Sequence, residues 1–286
     1  MLKIYNLVTA SIILITFVMC YISSYNMINF NGIPIIYPLW FLIFIIQIVV
    51  FIPSFIFKTE HYYDLTGGIT FISTIIISYL VKIQLDQFDI TSLILLLFIS
   101  VWALRLSSFL FFRVKKSGED VRFIKIKQSF SQFLMTFTIQ GLWVFMCLFP
   151  AIIVMSSNQT NFNSFTVIGS VFWVVGFLIE IISDYQKTEF NKVNKGSFIS
   201  TGLWSKSRHP NYFGEFLLWL GITIISFPYF EGYQYIALIS PLFVYLLLNK
   251  VSGVNLLENI ADKRWGDDKK YIEYKNKTPI FFPKIF

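Results

Sequence analysis

The segment 206–215, which reads KSRHPNYFGE, brings cationic, imidazole, amide and carboxylate groups together in a short stretch. Pro210 fixes φ near the value of a first helical turn and keeps the residue before it extended, so the pattern predicts that a helix begins here. A helix start presents unpaired backbone N–H groups and a partial positive charge, to which Lys206, Arg208 and His209 add. The segment therefore predicts an anion site suited to phosphate or pyrophosphate.

Asn211 and Glu215 stand four residues apart, on one face of this predicted helix. A basic cluster that binds anionic lipid headgroups would explain the cations of the segment, but it would not explain these two side chains. An amide and a carboxylate indicate a hydrogen-bonding ligand, such as a ribose or an aromatic amide ring. Tyr212, between them, is assigned to the same cofactor-binding set.

A second charged face lies where the preceding apolar stretch ends. Glu180, Asp184 and Lys187 follow i, i+4, i+7 spacing, which places them on one side of a helix. An ion pair at a helix end is the alternative reading. We expect this face and the 206–215 segment to converge on one solvent-filled chamber.

The apolar composition predicts the elements that position these residues. Hydrophobic residues make up 56% of the 286 residues and charged residues 14%, too little polar surface for a soluble protein of this size. Eight stretches are apolar enough for a membrane crossing: 7–23, 35–57, 65–81, 90–112, 130–155, 165–182, 213–227 and 235–251. The seventh carries Glu215, so we expect its start to line a cavity. The prediction is an all-α, polytopic membrane protein with seven to eight transmembrane helices, forming a single domain over 1–286.

The charge distribution predicts how the chain is oriented. The 23 Lys and Arg residues accumulate in alternate connecting segments, chiefly 113–129, 183–212 and 252–286. Such residues gather on the cytoplasmic side of membrane proteins, so we expect both termini in the cytoplasm. The net charge of +7 is then a sign of orientation, and no nucleic-acid partner is predicted. The two cysteines lack metal-type spacing, so no metal site is predicted.

Several motifs, in this order, resemble the steroid 5-alpha-reductase-like membrane family, in particular its bacterial-type, DUF1295-like branch of unassigned reductases. The motifs are YDLTGG at 63–68, IQGLW at 139–143, IEIISDYQ at 179–186, GLWSKSRHPNYFGEFLLWLGI at 202–222, and LLE followed by YIEYKNKTPIFFP, which begins at Tyr271. The resemblance covers 60–286 and leaves the N-terminal spans of 1–60 outside it.

The resemblance implies that NADPH binds at the cytoplasmic ends of the later helices and that hydride passes to a C=C bond conjugated with a carbonyl in a lipid-like substrate. Positions that contact the cofactor in the family are matched by Ser183, Asp184, Tyr185, Asn211, Gly214, Glu215 and Tyr274. Arg208 and His209 match the sterol C14-reductase version of the same element. The group that polarises the carbonyl is expected among Glu60, Tyr63, Asp64 and Arg105; Arg105 also lies inside an apolar span, where a charge is a functional candidate.

Two other functions remain open at this point. The first is an S-adenosylmethionine-dependent methyltransferase of the isoprenylcysteine carboxyl methyltransferase type, which would use the same pocket. That pattern usually brings an Arg-Glu-Glu run, whereas the sequence has one acid, Glu258, at the corresponding place. The second is a non-enzymatic lipid-binding protein of the same fold. Besides substrate and membrane lipids no partner is predicted, and the sequence does not define an oligomeric state.

Overall fold

The predicted membrane architecture is confirmed. The computed structural model describes residues 2–118, 120, 122–158, 160–251 and 253–284. Within these ranges, eight helical stretches are long and apolar enough to cross a membrane: Lys3–Ser23, Ile36–Ile56, Tyr63–Gln84, Ile90–Lys116, Phe130–Met155, Ser164–Val193, Pro210–Tyr229 and Gly232–Trp265. The chain is 78% helical, as an all-α membrane protein requires because the bilayer offers no other partners for backbone groups.

The helices are numbered in chain order. They are α1 (Leu2–Ser23), α2 (Ile36–Ile56), α3 (Tyr63–Gln84), α4 (Ile90–Ser117), α5 (Phe123–Ile126), α6 (Phe130–Met155), α7 (Ser164–Val193), α8 (Pro210–Ser226), α9 (Ile239–Leu246), α10 (Val254–Trp265) and α11 (Lys269–Lys277). Two short antiparallel strands, β1 (Asn29–Phe30) and β2 (Ile33–Pro34), form a hairpin that the sequence did not predict. The last predicted span, 235–251, is not one regular helix: 3₁₀ turns at Gly232–Leu238 lead into α9, and a π-helical turn follows at Leu247–Val251.

The chain divides into two compact units. The first comprises Met1–Ser164 and Ser226–Leu238, and the second comprises Phe165–Ile225 and Ile239–Phe286. The predicted single domain over 1–286 stays a prediction. The catalytic candidates at 60–105 belong to the first unit, and the cofactor candidates at 180–274 belong to the second.

The first unit is built around α6. In the most apolar stretch of α6, 83% of the residues are buried. In the corresponding stretches of α1 and α4, 28% of the residues are buried, so these helices leave an apolar surface for lipid. The rings of Phe133 and Phe137 on α6 pack edge to face with each other and with Phe51 of α2, with centroids 5.2–5.8 Å apart. Paired aromatic rings in this arrangement add to the stabilisation from burial itself.

A buried ion pair lies near the C-terminal end of α3 in this unit. The Lys82 ammonium lies 2.8 Å from an Asp89 carboxylate oxygen and donates to the Ser92 hydroxyl, the Thr160 hydroxyl and the Val154 carbonyl. Asp89 is also the N-cap of α4, since its side chain accepts from the Ser92 backbone N–H. The predicted span ended at 81 and left Lys82 in a loop; the structure instead extends α3 to Gln84 and buries Lys82, because this set of partners satisfies its charge.

In the second unit, α7 and α8 cross at two pairs of glycines. A Cβ on Gly176 would lie 2.6 Å from the Gly214 carbonyl oxygen, and one on Gly214 would lie 2.6 Å from the Gly176 oxygen. Two turns away, Gly169 and Gly221 approach each other in the same way, with distances of 2.5 and 2.6 Å. Small residues at such a crossing let two helix backbones come together, which is a common basis of packing in membranes. The crossing fixes the start of α8 against the later part of α7.

Candidate functional site

A cavity of about 430 Å³ lies in the second unit, where the C-terminal part of α7, the 195–209 segment, α10 and α11 meet. Its volume is in the range of small-molecule binding sites. Four cations line it: Lys187, Lys195, Arg208 and Arg264. Among the described lining residues the one carboxylate is that of Glu258. The cavity therefore has an excess of positive charge and is suited to an anionic ligand.

Glu258 contacts Arg208 and His209, the two residues that precede α8. One of its carboxylate oxygens lies 2.6 Å from the Arg208 guanidinium, and the other lies 2.8 Å from Nε2 of His209. The Lys275 ammonium is 3.9 Å away and also pairs with Asp262 at 2.5 Å. Because Glu258 comes from α10, this carboxylate joins α10 to the beginning of α8.

His209 presents an unused acceptor at the cavity wall. The residue is 5% exposed, and burial lowers its pKa below the ordinary 6.5, an effect that outweighs the opposing hydrogen bond with Glu258. The neutral ring therefore donates from Nε2 to Glu258, and its other nitrogen, Nδ1, is an acceptor. Among the described residues Nδ1 has no hydrogen-bond partner although it is buried. A ligand hydroxyl or amide that donates to Nδ1 would satisfy it.

The lowered pKa of His209 predicts a pH dependence of stability. The folded state binds the imidazole proton less well than the unfolded state, so the contribution of His209 is complete above about pH 6.5 and is lost as the pH falls through the lower folded-state pKa. We expect the unfolding temperature of the second unit to drop over this window. The check is thermal unfolding in detergent from pH 7.5 to 5.0. In a His209→Gln variant, which keeps a donor for Glu258 but cannot titrate, this part of the pH dependence should disappear; an unchanged pH profile would contradict the assignment.

Aromatic side chains form the other walls of the cavity. The Trp204 indole N–H donates to the Ser183 carbonyl at 3.0 Å, and the Lys187 ammonium lies 4.6 Å from the centre of its ring. The Tyr274 hydroxyl donates to the Trp204 carbonyl at 2.6 Å, and its ring stacks on Phe198. These bonds fix flat apolar faces next to the cations, an arrangement that suits a nucleotide base beside phosphates.

The predicted cofactor-binding residues fall into two groups. Lys187, Arg208, His209 and Tyr274 line the cavity. The other five, Glu180, Asp184, Asn211, Tyr212 and Glu215, lie outside this lining along α7 and α8. Asn211 donates to Asp184 at 3.2 Å, so the two predicted helix faces do meet there, beside the cavity. The Tyr212 ring stacks parallel to that of His209 at 5.7 Å.

The sequence prediction did not assign the contribution of α10. Glu258, Arg264 and Trp265 line the cavity from this helix, together with Leu257 and Ala261. Glu258, Ala261 and Trp265 are separated by three and four residues, the spacing of one helix face, so the pattern was visible in the sequence. The apolar residues of this segment did not form a pattern clear enough to predict which element that face would contact.

Two of the catalytic candidates in the first unit, Glu60 and Tyr63, have structural partners. Glu60 is buried, accepts from the Lys127 ammonium at 2.8 Å and accepts from the backbone N–H of Asp120 at 2.9 Å. Burial alone would raise the pKa of Glu60, but these hydrogen bonds hold it below its ordinary value. The Tyr63 hydroxyl donates to the Thr136 carbonyl at 3.1 Å. Both side chains thus help to join the start of α3 to neighbouring segments.

The other two candidates have different surroundings. Asp64 lines a cavity of about 30 Å³ with Trp102, Ser107 and Trp143, which is room for about one water molecule. Arg105 is half-buried, with its guanidinium 5.3 Å from the centre of the Phe109 ring. Asp64 thus borders an internal space within this unit.

The comparison with known families confirms one part of the predicted resemblance, the DUF1295 family. Residues 50–278, most of the chain, match the family described as "Protein of unknown function (DUF1295)". The chain belongs to this family. The match to the DUF1295 family includes α3 to α11 and therefore both the cavity and the α7–α8 crossing, while α1 lies outside it. No curated protein and no solved structure matches the sequence.

Proposed function

We propose that this DUF1295 protein is a membrane-embedded reductase that uses NADPH and acts on a carbonyl-conjugated C=C bond of a steroid-like or other lipid substrate. The observation that supports it most is the charge of the second-unit cavity, where four cations face one carboxylate. That carboxylate already pairs with Arg208 and His209, so the remaining field favours a ligand that carries several negative charges. NADPH, with a pyrophosphate and a further phosphate, is such a ligand.

The residues of the cavity fit this cofactor. Arg208, Arg264, Lys187 and Lys195 would hold the phosphates, since guanidinium and ammonium groups bind phosphate oxygens through charge-assisted hydrogen bonds. The unpartnered Nδ1 of His209 would accept from a ribose hydroxyl or an amide. When bound, NADPH supplies the hydride; the protein binds it, orients it and excludes water around it.

The catalytic candidates complete the proposal. A proton donor or electropositive group among Glu60, Tyr63, Asp64 and Arg105 is proposed to stabilise the negative charge that develops on the carbonyl oxygen. Asp64, which borders a small cavity, would do so by donating a hydrogen bond from its neutral carboxyl form. Both termini are proposed to lie in the cytoplasm, which would give the nucleotide access from that side.

The charge of the cavity also bears on the methyltransferase alternative. S-adenosylmethionine carries a sulfonium and an ammonium against one carboxylate, so its net charge is positive. A cavity with four cations would repel it more than attract it, and the one acid of the cavity is engaged by Arg208 and His209. The observation therefore favours a phosphate-bearing nucleotide.

A double substitution in the cavity tests this proposal. We expect Lys195→Gln with Arg264→Gln to raise the Kd for NADPH by roughly 10²-fold at low salt, since each removed cation loses a charge-assisted bond. Binding would be measured by NADPH fluorescence with purified protein in detergent, with S-adenosylmethionine titrated in parallel. The matched control is Lys263→Gln with Lys269→Gln, two exposed lysines outside the cavity lining, which should leave the Kd within about twofold.

The outcomes separate the three functions. Saturable binding of NADPH that weakens in the cavity variant and not in the control supports the reductase. Saturable binding of S-adenosylmethionine alone would favour the methyltransferase. Binding of neither ligand by folded protein would point to the non-enzymatic lipid-binding reading.

A further inference from the structure

A second concave surface lies at the C-terminal end of the second unit. It shares one lining residue, Tyr274, with the second-unit cavity proposed to bind NADPH, which is called the nucleotide cavity below. It is an open groove of about 470 Å³ between the 200–206 segment, α11 and the residues that follow α11. Four lysines line it: Lys206, Lys270, Lys277 and Lys284. We refer to it as the lysine groove.

The lysine groove has an uncompensated positive charge. Among the described residues that line it, the one acid is Glu273, and this carboxylate pairs with Lys277 at 2.5 Å. Three lysines therefore remain without an acid in the groove. Two of these lysines are neighbours through a backbone hydrogen bond, because the Lys284 N–H donates to the Lys206 carbonyl at 2.9 Å.

The chain around the groove places it next to the membrane. Lys206 lies four residues before Pro210, where the seventh candidate span begins. The Arg208 N–H donates to the Pro279 carbonyl, so the tail runs alongside the residues that enter the span. A groove attached in this way to the beginning of a membrane helix lies at the depth of lipid headgroups.

The tail also carries apolar side chains to membrane depth. The Phe281 ring contacts the rings of Phe216 and Tyr245, which belong to two candidate spans, at 5.9 and 5.1 Å. On either side of it, Ile280 is 40% exposed and Phe282 is 54% exposed. Apolar side chains that face outward between lysines are typical of a segment lying in the membrane interface, with its cations at the phosphates.

We infer that the lysine groove binds the headgroup of an anionic phospholipid. The positive charge of the groove favours a negative headgroup, and a lysine ammonium binds a phosphate as a point charge. Ile280 and Phe282 provide an apolar surface for the acyl chains of the lipid. The site takes a structural lipid and does not depend on the proposed reductase function. Its lysines are not among the residues that line the nucleotide cavity.

The test compares two variants of the full-length protein, each with four substitutions, in a neutral detergent. The groove variant carries Lys206→Gln, Lys270→Gln, Lys277→Gln and Lys284→Gln. The control variant removes the same charge from four exposed lysines near other spans, Lys3, Lys115, Lys116 and Lys125. Native mass spectrometry measures the binding of phosphatidylglycerol and phosphatidylcholine added in mixed micelles, and NADPH fluorescence measures the nucleotide site in the same samples.

We expect wild-type protein to prefer phosphatidylglycerol, and the groove variant to bind it about tenfold or more weakly while the control stays near wild type. Equal losses in both variants, or no preference of the wild type for phosphatidylglycerol, would overturn the inference. Displacement of phosphatidylglycerol by millimolar-range inorganic phosphate would also overturn it, because the groove would then be a site for a soluble anion. If the fourfold variant does not fold, Lys206→Gln with Lys270→Gln replaces it, and an unchanged affinity in that pair counts against the site.

Discussion

Replacing Lys82 with methionine is expected to lower the free energy of unfolding by roughly 3–5 kcal/mol, the range found when one partner of a buried ion pair is removed. Lys82 is 1% exposed, and its ammonium group pairs with Asp89 and donates to three further oxygens. Methionine fills similar space but leaves the carboxylate of Asp89 buried without its cation. The lost bonds to Ser92, Val154 and Thr160 would also loosen the ends of α3, α4 and α6.

The measurement is equilibrium unfolding in mixed micelles with increasing SDS, followed by tryptophan fluorescence. Adding Asp89→Asn to Lys82→Met should restore most of the loss, because asparagine keeps the N-cap of α4 and removes the uncompensated charge. Lys192→Met, in an exposed pair with Glu189, should change the free energy by less than about 1 kcal/mol. A Lys82→Met effect no larger than that of Lys192→Met would show that the buried pair does not stabilise the fold.

Adding one methyl group to each member of one glycine pair at the α7–α8 crossing, Gly176→Ala with Gly214→Ala, is expected to destabilise the second unit by about 3 kcal/mol or more, beyond the usual cost of a single overpacked site. Each new Cβ would lie 2.6 Å from a backbone oxygen of the other helix, so α7 and α8 would have to move apart. Helix propensity alone predicts the opposite sign, since alanine is favoured over glycine by about 1 kcal/mol. A loss of stability therefore reports the crossing itself.

The same unfolding assay and NADPH binding test this variant together. Lys187 on α7 and Arg208 just before α8 both line the second-unit cavity proposed to bind NADPH, so separation of the helices should also weaken NADPH binding at least tenfold. Val175→Leu is the matched control, because it adds one carbon on an exposed part of α7 next to Gly176 and should be neutral. An increase in stability in the alanine variant would mean that the helices are free to separate without cost.

The candidate site was only partly predictable from residue types. The helix start at Pro210 was correctly placed, because proline constrains φ locally and needs no tertiary partner. Glu180 and Asp184, on the charged face of α7, are both buried. That face meets the 206–215 segment as expected, through the hydrogen bond from Asn211 to Asp184. The spacing did not show that these two residues lie outside the lining of the cavity.

The sequence by itself determined the membrane class of the protein and its eight candidate crossings, because the thickness of a bilayer sets the length of an apolar helix and each crossing is visible as a local run of residues. It also predicted the basic segments that supply the cations of the site. Only the tertiary structure decided that Glu258 of α10 holds Arg208 and His209. It likewise decided that Lys82 is buried with Asp89. These contacts depend on which helix faces meet, and periodicity within one helix identifies a face without identifying its neighbour.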